Sequence, residues 1–193
     1  DHVITVLFAP PGGPVDVVVN NAGMGVMGAL EATPLATARE VFETNTFGTM
    51  AMTQAVTPGF RTSRTGTIVN VTSSATLAPF PLVAVYTASK TAVEGFTESL
   101  ALELRPFNVR VKLVEPGYCP GTRFAENGGP RMEGLLPEAY SAYAQGVFER
   151  FGQVTDVTRP IDVAEAVWCA ANDVTDRLRF PAGADAVALA GFR

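Results

Sequence analysis

Three observations predict an α/β fold in which a parallel sheet is covered on both faces by helices. β-branched apolar runs of strand length alternate with longer segments of helical periodicity, the turns between them are short, and the conspicuous polar residues fall where strands end. A strand buried on both faces reads as a nearly continuous apolar run, and joining it to a parallel neighbour requires a crossover, usually a helix. The 193 residues suffice for one domain with a sizeable core, and 47% apolar with 17% charged residues is a soluble globular composition.

Taken in order, His2 to Ala9 is apolar but too short for periodicity to separate strand from helix, and Pro10-Pro11-Gly12-Gly13-Pro14 ends it. Val15 to Val19, interrupted by Asp16, is expected to be a doubly buried strand. It stops at Asn20-Asn21-Ala22-Gly23, small and amide residues that let a ligand approach the backbone at a strand's carboxyl end. Taken alone, those four residues read equally well as an ordinary turn. After a loop of Gly and Met, Thr33-Pro34 reads as an N-cap followed by proline at the first helical position, opening a long helix to about Val56. Within it Asn45, flanked by Thr44 and Thr46 and followed by Gly48, sits among weak helix formers on an apolar face. Its bland reading is a surface amide; its functional reading is a local distortion that frees a backbone carbonyl for water or substrate.

Gly66 opens a strand, Thr67 to Val71, that runs into Thr72-Ser73-Ser74, and the proline-containing Ala78 to Leu82 leads into a helix from Ala84 to Leu104. Val85, Val93, Phe96, Leu100 and Leu104 recur there at helical intervals, so Tyr86 and Lys90, four residues apart, share one face. Ser73, thirteen residues before Tyr86, ends a strand that must turn back toward that helix. A phenol beside an ammonium is drawn toward phenolate, the form that exchanges a proton with an alcohol or carbonyl. The helix ends near Pro106, and Val109 to Val114 alternates into another strand, stopping at Glu115-Pro116-Gly117. Residues 117–137 show little periodicity and are expected to form a substrate loop or lid. A short helix, Pro137 to Phe151, precedes one from about Pro160 that carries Val163, Ala166, Val167 and Ala170, and the apolar tail from Phe180 to Phe192 is suited to closing the sheet. No repeat, low-complexity tract or second domain is visible.

A formal charge of −5 without a basic run argues against nucleic acid or an anionic membrane surface as partner. Cys119 and Cys169 are isolated, with neither metal-site nor redox-pair spacing, which fits a reducing compartment. No apolar run approaches the roughly 18 residues of a membrane span and no leader is visible, so a cytoplasmic location is expected. The chain opens at Asp1 almost directly on a strand, as a processed form, a fragment or a partial chain would.

Together, Asn20-Asn21-Ala22-Gly23, Asn45, Ser73 thirteen residues before Tyr86-Thr87-Ala88-Ser89-Lys90, and Pro116-Gly117 resemble the short-chain dehydrogenase/reductase family, in order and over nearly the whole chain. The resemblance implies a single Rossmann-like, doubly wound domain over 1–193 and an NAD- or NADP-dependent oxidoreductase that interconverts a carbonyl and a secondary alcohol on a small substrate. Phe124, Met132, Leu135 and Leu136 in the loop suit an apolar substrate or simple packing equally. By resemblance, Tyr86 is the general acid/base, Lys90 lowers its pKa and binds the nicotinamide ribose, Ser73 holds the substrate oxygen, and Asn45 anchors a water behind Lys90. Asn21, Ala22 and Gly23 would pack on the adenosine side of the cofactor; Pro116, Gly117 and the following Cys119 and Thr122 would contact the nicotinamide. The resemblance also implies a homodimer or homotetramer that pairs the two long helices.

Two departures accompany it. The family's threonine five residues after the turn proline falls at Gly121 here, with Thr122 next, and the glycine-rich first turn, the first two strands and the residue that separates NAD from NADP users are absent from this sequence. Without those strands, Val15 to Val19 would be an exposed apolar edge. The competing reading is a cofactor-incompetent fragment or a non-enzymatic scaffold or oligomerisation partner.

Overall fold

The computed structural model describes residues 5–8, 14–124, 128 and 131–192. Strands β1 (Thr5–Phe8), β2 (Val17–Asn20), β3 (Thr67–Val71), β4 (Arg110–Pro116) and β5 (Arg179–Ala182) form one sheet in the order β1-β2-β3-β4-β5. β2 to β5 are parallel, as the alternation of elements predicts. The edge expected to be bare is not: β1 pairs antiparallel along β2, Phe8 opposite Val17 and Thr5 opposite Asn20. The ambiguous first apolar segment thereby supplies a strand of four residues, and the rest of it lies outside the described residues.

The strand period of two divides the core between the sheet's faces. Val19, Val69, Val71, Val114 and Phe180 point to one face, packed by Val163, Ala166 and Val167 of α5 (Pro160–Asn172). Val18, Ile68 and Val111 point to the other, against Val56 and Phe60 of α2 (Gly48–Ser63) and Leu100 and Leu104 of α3 (Ala84–Leu104). Both faces of β3 are therefore covered, which is why Thr-Ile-Val-Asn-Val is buried at every position.

Asn20 and Asn70 are register partners, and their amides face the α2–α3 side without facing water. Asn20 Nδ2 donates to Asn70 Oδ1 (2.8 Å) and lies 3.3 Å from Thr53 Oγ1, while Asn70 Nδ2 donates to Thr97 Oγ1 (2.9 Å). This polar ladder ties two strands to two helices at the point where β2 and β3 deliver their carboxyl ends.

The expected helix over 33–56 is longer and interrupted. Pro34, not Thr33, occupies the cap position of α1 (Leu35–Phe42), and the Thr33 hydroxyl donates instead to Ala29 O (2.9 Å), closing a short 3₁₀ turn at Leu30–Ala32. α1 then passes through a π-helical segment, Glu43–Phe47, into α2, which continues past Pro58 to Ser63. Pro58 is exposed, so the carbonyl that its missing N–H leaves unpaired is free to meet water. The tail also divides: Gly183, at φ +94°, turns the chain from β5 into α6 (Ala184–Ala190) instead of prolonging the sheet. Between β4 and α5, a 3₁₀ turn (Glu138–Tyr140) leads into α4 (Ser141–Gly152), close to the expected Pro137 to Phe151. Of the expected lid, 125–127 and 129–130 lie outside the described residues. Among the described residues no helix is long and apolar enough to cross a membrane.

Candidate active site

Parallel strands present their carboxyl ends along one edge of a sheet, and the turns after β2, β3 and β4 meet there. Asn21 and Gly23 are exposed beyond β2, and Gly23 lies directly against the site: a Cβ on it would stand 3.1 Å from Lys90 Nζ and 3.3 Å from Asn45 Oδ1. Ser73, in extended backbone, follows β3 and caps a 3₁₀ turn by accepting from Ala75 N (3.2 Å). Its hydroxyl lies near enough to the Tyr86 phenol, on the first turn of α3, to favour the ionised phenol. Thr72 and Thr76, on either side of Ser73, hydrogen-bond Glu94, which Arg179 Nη1 holds at 2.9 Å while also reaching Glu115 Oε1 (2.5 Å). The serine turn is thus fastened to α3, β4 and β5 together.

One turn along α3 from Tyr86, the Lys90 side chain is buried and its ammonium donates to Val71 O (2.9 Å). Tyr86 packs against an apolar cluster of Val26, Val41, Val85 and Leu135, with the Phe124 ring 5.6 Å from its own at 60°. One side of the phenol is therefore polar and the other apolar.

Asn45 sits in the π-helical segment, so the expected distortion is present. It is fully buried, which removes the surface-amide reading. Its Oδ1 accepts from Met24 N (2.8 Å), and its Nδ2 donates to Met24 O (3.0 Å) and Ser89 Oγ (2.9 Å); Ser89 in turn donates to Tyr86 O (2.7 Å). The side chain thus binds the β2 turn to the helix of Tyr86. The Asn45 carbonyl accepts from the Thr49 hydroxyl (2.9 Å), which occupies part of the backbone valence expected to be free for water or substrate.

Burial decides the electrostatics. It pushes the Tyr86 phenol up to about 12, the Ser73 hydrogen bond opposing the rise, and it lowers the Lys90 ammonium to about 8. The expectation that Lys90 draws Tyr86 toward phenolate is not met in this arrangement: losing water costs the phenolate more than its neighbours return. Near pH 7 the phenol is a proton donor beside a charged lysine.

The turn after β4 is built differently. Gly117 N donates to Ala182 O (3.0 Å), and Tyr118 N donates to Asp185 Oδ2 (2.6 Å). Cys119 and Thr122 bond locally, the Thr122 hydroxyl donating to Cys119 O (3.0 Å), and do not join the group around Tyr86. Burial, with Asp162 and Asp185 nearby, pushes the Cys119 thiol up, which keeps it protonated. Ser89, Thr158 and Asp185 carry no role in the reading of the sequence, whereas Phe124 is one of the loop residues it names. Ser89 lies within the Tyr-to-Lys pentad, whereas nothing in the local sequence connects Asp185 to Tyr118, 67 residues earlier.

The short chain dehydrogenase family model matches residues 6–132, and the chain belongs to that family, with its Rossmann-like α/β fold and its NAD- or NADP-dependent oxidoreductases. Human retinol dehydrogenase 8 is 50% identical over 166 residues, 80% of this chain and 52% of that protein. The uncharacterized oxidoreductase SPAC977.08 of Schizosaccharomyces pombe is 36% identical over 172 residues, 89% of this chain and 71% of that protein. A short-chain dehydrogenase structure from Streptomyces avermitilis superposes with a TM-score of 0.75 at 33% identity, covering 92% of this chain and 64% of that one. The chain thus spans about half to seven-tenths of the length of these three proteins. Similar folds have been solved as an NAD+-bound xylitol dehydrogenase (26% identity, TM-score 0.72, 88% of this chain and 68% of that one) and as a serine dehydrogenase with NADP+ (27% identity, TM-score 0.71, 89% and 66%).

The described residues fit the nicotinamide-ribose half of such a cofactor. Lys90 directs one of its three ammonium donors to Val71 O and lies against the exposed Gly23 turn, while Tyr86, Ser73 and the Pro116–Gly117 turn border the same strand-end edge.

Proposed function

We propose that the full-length protein interconverts a carbonyl and a secondary alcohol on a small apolar molecule, using NAD or NADP. The observation that carries this reading is the half-buried phenol of Tyr86, near enough to the Ser73 hydroxyl to feel it and one helical turn from the buried Lys90. When bound, the nicotinamide supplies or accepts hydride. In reduction, the carbonyl carbon gains hydride and its oxygen gains the Tyr86 proton; in oxidation the phenolate takes that proton back. Ser73 donates to the substrate oxygen and aligns it with the phenol. Lys90 holds the ribose hydroxyls with its remaining donors and supplies positive charge when Tyr86 is ionised. Asn45 keeps the Gly23 turn in register with α3, and Asn21, Ala22 and Gly23 flank the adenosine side.

An apolar substrate is favoured by the apolar cluster against which Tyr86 packs, with Met24 on the same cluster and the Phe124 ring beside the phenol. The relative named for retinol, a largely hydrocarbon alcohol, points the same way. Phe124, within the region expected to form the substrate loop, brings its ring 5.6 Å from that of Tyr86. Pairing along α2 and α3 into a dimer or tetramer, in the cytoplasm, completes the reading.

The test is Tyr86→Phe in the full-length protein. Turnover of apolar ketones with either reduced cofactor is expected to fall at least a hundredfold, the lower range of general acid–base catalysis, while reduced-cofactor binding measured by fluorescence stays within about twofold. Turnover that survives the substitution would remove Tyr86 from its assigned role.

A further inference from the structure

The turn after β4 is held by groups that the reaction chemistry does not use. Tyr118 is fixed at both ends of its peptide: its N–H donates to Asp185 Oδ2 (2.6 Å), and its carbonyl accepts from Thr158 N (2.8 Å). The Thr158 hydroxyl donates to Asp185 Oδ1 (2.6 Å), with Ala182 O 3.1 Å away as a second acceptor. The Thr158 side chain is almost completely buried, and Asp185 is half-buried at the amino end of α6. Two glycines permit this approach. A Cβ on Gly117 would collide with the Asp185 carboxylate, and a Cβ on Gly183 would collide with Thr158. One carboxylate, one hydroxyl and two missing side chains thus join β4, β5, α6 and the segment before α5 at a single point.

We propose that Asp185 and Thr158 form a clasp that sets the position of the Pro116–Gly117–Tyr118 turn against the nicotinamide, making Asp185 a positioning residue for the reactive end of the cofactor. This rests on the functional reading above, which gives that turn to the nicotinamide. Both Asp185 oxygens act as acceptors, so an alanine there frees the Tyr118 N–H and lets the turn move. An asparagine keeps the bonds: its Oδ1 accepts from Tyr118 N, its Nδ2 donates to the Thr158 oxygen, and the Thr158 hydroxyl turns to Ala182 O, already within reach. Geometry rather than charge is what the clasp supplies.

The experiment compares NADH and NADPH with ADP-ribose, which lacks the nicotinamide, by calorimetric titration of the full-length protein and its variants. Asp185→Ala is expected to weaken binding of the preferred reduced cofactor about tenfold or more, the scale of a lost hydrogen bond to a charged group, with ADP-ribose affinity unchanged. Asp185→Asn is expected to restore most of the difference. Should Asp185→Ala fail to fold, Thr158→Val, nearly isosteric and without the hydroxyl, is judged by the same ratio, with Thr158→Ser as its rescue. An unchanged ratio of reduced-cofactor to ADP-ribose affinity in the folded variants would overturn the clasp while leaving the functional reading standing. A wild-type protein that binds neither reduced cofactor would overturn the functional reading, and the clasp with it.

Discussion

Lys90 shows how one buried residue links chemistry to stability. Its ammonium is held down to about 8 by burial, whereas an unfolded lysine titrates near 10.5. Between those values the unfolded chain binds the extra proton, so stability rises with pH across that window and the cost of a buried ammonium is fully present below about 8. Urea unfolding of wild type and Lys90→Met at pH 7.5 and 9.5 checks this. The wild type should gain on the order of 2 kcal/mol relative to the variant over that interval, and a flat difference would mean that Lys90 keeps its solution pKa. Tyr86 has the opposite sign. Its folded value near 12 exceeds the ordinary 10, so its contribution is present below about 10 and is lost as pH rises toward 12.

Among the elements, the π-helical segment does most to bring the site together. A regular helix through Glu43–Phe47 would rotate the residues after it by part of a turn. The widened turn lets Asn45 face Met24 and Ser89 together. Asn45→Ala would leave the half-buried Met24 N–H without its acceptor and take from the buried Ser89 oxygen the donor it receives from Asn45 Nδ2, the Ser89–Tyr86 bond remaining. The expected cost is about 2 kcal/mol of stability, read by denaturant titration, with faster amide exchange at Met24; slow exchange there would show that the β2 turn is held by something else. The weak helix formers Thr44, Asn45 and Thr46 made the distortion legible in the sequence, but not the partners of the amide, because Met24 and Ser89 are distant along the chain and adjacent only after folding. Pro58 was the opposite case: it weakens a helix locally, yet α2 continues past it because Val56 and Phe60 on its buried face pack against the sheet.

For the whole molecule, the exposed side chains along the long helices bear on assembly. Phe47 is 51% exposed and Leu102 65% exposed. Sedimentation of the full-length protein is expected to give a dimer or tetramer, and Leu102→Arg is expected to shift it to a smaller species; a monomeric wild type would contradict pairing through this surface. Deeper in, Lys112 illustrates what size permits. It is fully buried in β4, yet its ammonium reaches Asp173 Oδ1 (2.8 Å), Thr175 O and Arg177 O (both 2.7 Å), so a charge in the core becomes the anchor of the segment leading into β5. Asp173 is correspondingly drawn down to about 2, so this anchor persists above ordinary carboxylate pKa values and loosens as pH falls toward 2.

The sequence by itself determined the parallel strands β2 to β4, the helix of Tyr86 and Lys90, and the order of the polar turns. Those features follow from patterns within a few residues: strand alternation, helical spacing, and the small residues that end each run. Only the tertiary structure decided that the edge of β2 is paired antiparallel, that the tail splits at Gly183, that burial rather than Lys90 sets the state of Tyr86, and that Asp185 and Thr158 fasten the turn after β4. Each of these depends on desolvation or on groups far apart in the chain, and neither is written in the local pattern of residues.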